Sequence, residues 1–109
     1  MTYEERLKIT QELFDECIGL GKAKGADYAS KGDTLANFKE TAKAVGLTKY
    51  EVWAVFMDKQ YRAIMNSIKA SPNAPQPQSE PIRERIKDII VYATLLEALI
   101  QEDENTKQS

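Results

Sequence analysis

The sequence has no histidine, one cysteine, and prolines confined to a single short window. Without histidine it lacks the side chain that titrates nearest neutral pH and the commonest zinc ligand. Acid–base chemistry would have to come from carboxylates, lysine or tyrosine. A lone Cys17 cannot close an intrachain disulfide, which fits a reducing compartment. Its neighbours Leu13, Phe14 and Ile18 make it a core thiol rather than a nucleophile. No apolar run reaches the roughly 18 to 20 residues of a membrane span. The first residues, MTYEERLK, mix acids with bases, unlike a signal peptide. A basic excess is missing too: 15 Lys and Arg face 17 Asp and Glu, a formal charge of −2. Extended nucleic acid is therefore not an expected partner, because phosphate neutralisation needs a basic surface. A small anionic ligand in a local pocket remains compatible with this balance.

What is present reads as helix. At 109 residues the chain has room for one domain and one modest core. Thr2 and Glu5 form a capping box, and Leu7, Phe14, Cys17 and Ile18 recur at helical spacing until Gly19 and Gly21, so a first helix is predicted over roughly 3–20. A second runs from about Asp33, with Asp33 or Thr34 as its cap, to Val45, and Gly46 stops it. Thr48 and Glu51 box the start of a third, whose apolar surface (Val52, Trp53, Phe56, Met57, Tyr61, Ile64, Met65, Ile68) is wider than one stripe. The segment ASPNAPQPQSEP then holds all four prolines and is read as an extended crossover. Ser79 caps the last helix, where Ile82, Ile86, Ile89, Ala93, Leu96 and Ile100 form a long stripe that Ile90, Leu95 and Leu99 widen. No alternation of apolar and polar residues competes with this. The expected fold is all-α, a four-helix bundle-like domain over 1–103 with one short helix and a Pro-rich crossover, followed by a frayed polar tail, 104–109.

Four elements carry residues suited to chemistry. The connector KAKGADYASKGDTLANFKE, residues 22–40, holds Lys24, Asp27 and Tyr28, then Asn37 and Phe38 at the start of the second helix. MDKQYR on the third helix puts Lys59 near Arg62, and Asp58 four residues before it, so each pair shares a face. Lys59 lies in the most apolar helix, where a charge needs a partner or a ligand. On the last helix Glu84, Asp88 and Tyr92 are each four apart. The plainer readings are a surface ion pair for Asp58 and Arg62, a solvated face for Glu84 and Asp88, and core or subunit contact for Trp53, Met57 and Met65.

KGADYASKGDTLANFK, MDKQYR and SEPIRERIKDIIVYATLL together resemble the small phage and prophage proteins known as the nucleotide modification associated domain. In that family the elements look like K-x-x-D-Y-[GA], D-x-x-x-N-F, M-x-K-x-x-R and an E-to-D-x-x-x-Y helix. Here they fall on Lys24, Asp27 and Tyr28; on Asp33, Asn37 and Phe38; on Met57, Lys59 and Arg62; and on Glu80, Asp88 and Tyr92. Ala29 stands where glycine is usual. The resemblance spans roughly residues 20–96. It implies a helical fold, a phage setting, a location in the cytoplasm of an infected bacterial host, and a link to nucleotides.

A nucleotide ligand suits these residue types. Lys24, Lys59 and Arg62 would meet phosphate oxygens, Arg through its planar fork. Tyr28, Phe38 or Tyr92 would stack on a base, and Asp27, Asn37 or Asp88 would read base edges or ribose hydroxyls. The leading expectation is a non-catalytic nucleotide-binding protein without cofactor or metal. It would sequester or present a nucleotide, such as a cyclic immune signal of host anti-phage defence, and its wide apolar faces point to a homo-oligomer. A second reading is a Mg²⁺-dependent all-α nucleoside triphosphate pyrophosphatase, using Glu12, Asp15 and Glu16 with Glu80, Glu84 and Asp88. Its usual E-x-x-E and E-x-x-D spacing is not met, since Glu84 and Asp88 are four apart. The third reading is an oligomeric interaction module with no small ligand.

Overall fold

In a computed structural model of the chain, which describes residues 1–28, 32–75 and 81–108 (side chains to residue 20 in the first helix and to 107 in the last), four helices form and no strand is found among the described residues. They are α1 (Tyr3–Tyr28), α2 (Ala36–Val45), α3 (Lys49–Ala70) and α4 (Ile82–Gln108). The fold is all-α, and its helices pack as in a bundle. No described helix is long and apolar enough to cross a membrane.

Both predicted capping boxes are present. The Glu5 amide donates to Thr2 Oγ1 at 3.1 Å and the Thr2 amide to Glu5 Oε2 at 2.9 Å. Thr48 and Glu51 repeat the exchange at 3.1 and 3.0 Å. Each box satisfies two of the amides that a helix start leaves without partners. Gly46 ends α2 at φ 72°, a left-handed conformation that costs glycine least.

Three boundaries differ from the sequence reading. Helix α1 does not stop at Gly19 and Gly21 but continues to Tyr28. A glycine in a helix costs only about 1 kcal/mol and, unlike proline, removes no hydrogen bond. Much of the predicted connector is thus the last two turns of α1. Helix α2 starts at Ala36, and Asp33 acts just ahead of it: its Oδ1 accepts the Leu35 amide at 2.9 Å. Helix α4 runs to Gln108, through the residues read as a polar tail. The predicted cap Ser79 lies outside the described residues.

Packing is organised around α3 and α4, which run antiparallel. Lys49 and Tyr50 at the start of α3 meet Asp103 near the end of α4. Further along, Trp53 Nε1 donates to the Tyr92 carbonyl at 2.7 Å, and Arg85 Nη1 donates to Gln60 Oε1 at 2.8 Å. Helix α2 packs on α3 and α1 on α4. The core is small: Leu35, Phe38, Ala42, Val52 and Leu99, with Tyr50, Trp53, Phe56, Tyr92, Leu95 and Ala98 packed around them. It sits where α2, the first half of α3 and the second half of α4 converge.

The core face of α4 is therefore Tyr92, Leu95 and Leu99, not the predicted stripe. In that stripe Ile86, Ala93 and Ile100 are exposed, and Ile82, Ile89 and Leu96 are only half-buried. The stripe lies beside the core, and periodicity alone could not show which apolar face would be covered. Among the described residues Leu99 is the one large side chain wholly buried, at 0 % exposure. Replacing it with alanine removes buried methyl groups and leaves a cavity that this small core cannot readily fill. Leu99→Ala is expected to cost about 3 kcal/mol of stability, read as a lower urea midpoint with an unchanged slope.

Candidate functional site

The sequence points to nine residues for a ligand, and the structure distributes them unevenly. Lys24, Asp27 and Tyr28 fall in the last two turns of α1, where their side chains lie outside the described residues. Asn37 is exposed on α2. Its neighbour Phe38 is a core residue, 4 % exposed, with its ring centroid 6.0 Å from that of Phe56. Its faces are occupied by protein, so the stacking role considered for it does not suit its position. Lys59 and Arg62 are both exposed on α3. The expectation that Lys59 sits among apolar neighbours and needs a partner is corrected here: it lies on the wet side of the helix, and water solvates its charge. Arg62 donates from Nε to Asp58 Oδ2 one turn earlier, which raises its pKa; at 73 % and 50 % side-chain exposure this is a screened surface pair.

Asp88 and Tyr92 are better placed. They are half-buried and one turn apart on α4: the Tyr92 carbonyl meets Trp53 of α3, while the Asp88 carboxylate is near enough to Cys17 on α1 to help raise its thiol pKa. Arg85, three residues before Asp88, is on the same side, and its guanidinium reaches Gln60 on α3. Gln60 and Ser67, seven residues apart on α3, are buried polar residues at 8 % and 4 % exposure. This stretch of α4 thus carries a guanidinium, a carboxylate and a phenol within about two turns of helix, with the Gln60 amide of α3 against the guanidinium. Sequence reading missed Gln60, Ser67 and Arg85. The available signal was polar residues at heptad and i, i+3 steps inside otherwise apolar helix faces.

The carboxylates considered for Mg²⁺ are arranged differently. Lys87 Nζ lies 2.8 Å from Glu16 Oε2 on α1 and 3.3 Å from Glu84 Oε1 one turn back on α4. The Glu16 pairing is the main cause of a raised Lys87 pKa, with burial opposing it. A lysine thus stands between the α1 and α4 carboxylates where a cation would be needed. Among the described residues no three Asp, Glu, His or Cys side chains gather to hold a metal ion. Cys17 lies beside this pair, 7 % exposed, with its Sγ 3.8 Å from the Lys87 carbonyl. Burial pushes its thiol pKa up, against the pull of Lys87, so it is a core thiol as the sequence suggests.

Two further ionic clusters pin the far end of α4. Lys39 bridges Asp33 and Glu102, at 2.7 Å to each. Asp103 accepts from Lys49 and from the Tyr50 hydroxyl. The Lys49 bond, then the Tyr50 bond, lowers the Asp103 pKa, while the same carboxylate pushes Tyr50 up to about 12. Beside Glu102 of the first cluster an open cleft of about 530 Å³ is lined by Leu35, Ala98, Gln101, Glu102, Asn105 and Thr106.

No protein-family model matches the chain, and neither the curated proteins nor the solved structures contain a significant match to it.

The Asp103 cluster makes a pH prediction. A carboxylate with a depressed folded-state pKa contributes stability that is present above its ordinary value of 3.8 and lost as the pH falls through the folded value. Urea midpoints should decline below pH 3.8, and Asp103→Asn should flatten that decline while lowering stability at neutral pH. Tyr50 gives the complementary alkaline signature. Its raised pKa means stability present below pH 10 and lost toward about 12. One tyrosinate absorbance step should therefore titrate late and vanish in Tyr50→Phe.

Proposed function

We propose that the protein is a phage-type nucleotide-binding protein that holds a nucleotide, a cyclic one included, without turning it over, and that works as a homo-oligomer. The observation that carries this reading is the α3–α4 seam. Arg85, Asp88 and Tyr92 share one side of α4, with Gln60 opposite Arg85. A guanidinium suits phosphate or a purine edge, a carboxylate suits ribose hydroxyls or ring N–H groups, and a phenol suits stacking. Exposed Lys59 and Arg62 on α3 add cationic groups for phosphate. Phe38 leaves the set of stacking residues; Tyr28 stays in it, as does the part of the half-buried Tyr92 ring that the core leaves uncovered.

The pyrophosphatase reading draws less support. Two of its carboxylates, Glu16 and Glu84, share Lys87, and a lysine there competes with Mg²⁺ for the same oxygens. The interaction-module reading draws support from the exposed apolar residues of α1 and α3, such as Phe14 at 49 % and Tyr61 at 56 %. It predicts no small ligand.

Thermal unfolding against nucleotides, cyclic di- and trinucleotides and cyclic ADP-ribose isomers, with and without Mg²⁺, separates the three. A ligand present at a hundred times its Kd and binding only the folded state adds about 2.7 kcal/mol, enough to move Tm by several degrees. The expected result is a metal-independent shift with one compound, which is recovered intact after heat release. Arg62→Ala should weaken that binding about tenfold, the loss of a charge-assisted contact to phosphate. Mg²⁺-dependent release of pyrophosphate would favour the enzyme, and no shift with any compound would favour the interaction module.

A further inference from the structure

The chain exposes more surface than a self-sufficient fold of its size. Its accessible area is 7997 Å², whereas a folded monomer of 12.3 kDa exposes about 6,100 Å². Its radius of gyration is 16.3 Å, against about 13 Å for a compact domain of this length. The surplus is on the order of 1,900 Å², within the range that each subunit of an obligate homodimer buries.

One face accounts for a well-defined part of it. Along α4, Ile82, Ile86, Ile89, Ala93, Leu96 and Ile100 are spaced four, three, four, three, four. That is an uninterrupted coiled-coil seam over 19 residues of helix, and none of the six is buried. At about 100° per residue it lies roughly a quarter turn from the Tyr92–Leu99 line that contacts α3. On α3, exposed Tyr61 and Ile68 lie a similar rotation from the Trp53–Gln60 line that contacts α4. Because the two helices are antiparallel, the same sense of rotation carries both stripes to the same side of the pair. The core contacts of α2 and the Lys87 contact of α1 fall on the opposite rotation. One side of the α3–α4 pair therefore carries α1 and α2, and among the described residues the other is bare and apolar.

We propose that a second copy of this chain covers this face, with the two α4 helices paired antiparallel about a two-fold axis near residue 91. Charge selects the direction. In this heptad Arg83 and Glu97 occupy equivalent flanking positions, and both are exposed. An antiparallel seam centred between Ile82 and Ile100 sets Arg83 of each copy beside Glu97 of the other, twice by symmetry. A parallel seam would leave them 14 residues apart. The small Ala93 sits close to the axis, where two backbones must approach most closely. The face requires no ligand, so it stands or falls separately from nucleotide binding.

The test is sedimentation of the nucleotide-free protein across micromolar concentrations. The wild type is expected at twice the 12.3 kDa chain mass. Ala93→Glu places a good helix former at an exposed position of the protomer. It should give a monomer with unchanged helical circular dichroism. Arg83→Glu and Glu97→Arg should each weaken the dimer at least several-fold, and the double variant should restore it. A monomeric wild type, a dimer that tolerates Ala93→Glu, or a charge swap that restores nothing would each overturn the proposal.

Discussion

The antiparallel pairing of α3 with α4 is the constraint on which the other contacts rest. Helix α2 packs on α3 and α1 on α4. Three polar contacts fix the register of the central pair. Asp103 takes Lys49 and Tyr50 at one end, Trp53 Nε1 meets the Tyr92 carbonyl in the middle, and Arg85 meets Gln60 toward the other end. Apolar packing is non-directional and would tolerate a slip along the helix axes. A buried indole N–H or a guanidinium on an amide would not, because a slipped partner leaves it unsatisfied. These contacts convert a wide apolar interface into a single alignment. The same contacts put Asp88 and Tyr92 where they are, so the candidate site follows from the requirement that sets the fold.

How much of this could be read beforehand depends on how local the cause is. Capping boxes act within four residues, and both Thr2–Glu5 and Thr48–Glu51 form as read. The left-handed Gly46 is equally local. Burial is not. Helical spacing shows that Phe38 shares a face with Leu35 and Ala42, but whether that face meets protein or a ligand is decided by Val52 and Leu99, far along the chain. Lys59 differs in the other direction: it belongs to the most apolar helix, with Met57 and Tyr61 two residues away on either side, yet its own direction on the helix is toward water. The end of α1 was misjudged because glycine weakens a helix without breaking it, so the balance rests on neighbours that no short motif encodes.

The stripe on α4 shows the limit most clearly. Ile82 to Ile100 is the most regular apolar pattern in the sequence, and regularity made it the natural choice for the core. The fold uses the neighbouring line instead, with Leu99 at its centre. Two apolar lines on one helix can satisfy two different partners, and intramolecular packing takes only one of them. A helix whose more regular line is left over is better suited to pairing with a helix of equal regularity than with the irregular surface of its own bundle. A second α4 is such a helix.

The seam and the candidate site then constrain one another. Arg85 and Asp88 are interleaved in sequence with Ile82, Ile86 and Ile89, so one segment of α4 turns Arg85 toward α3 and its heptad toward the face left bare by the described residues. A change that rotates α4 would disturb both. A nucleotide bound at Asp88 or Tyr92 and a second copy paired along Ile86 and Ile89 would therefore sit on one and the same helix segment. If ligand occupancy changes subunit affinity, pairing must change ligand affinity by the same factor, because a free-energy coupling between two events on one body is reciprocal.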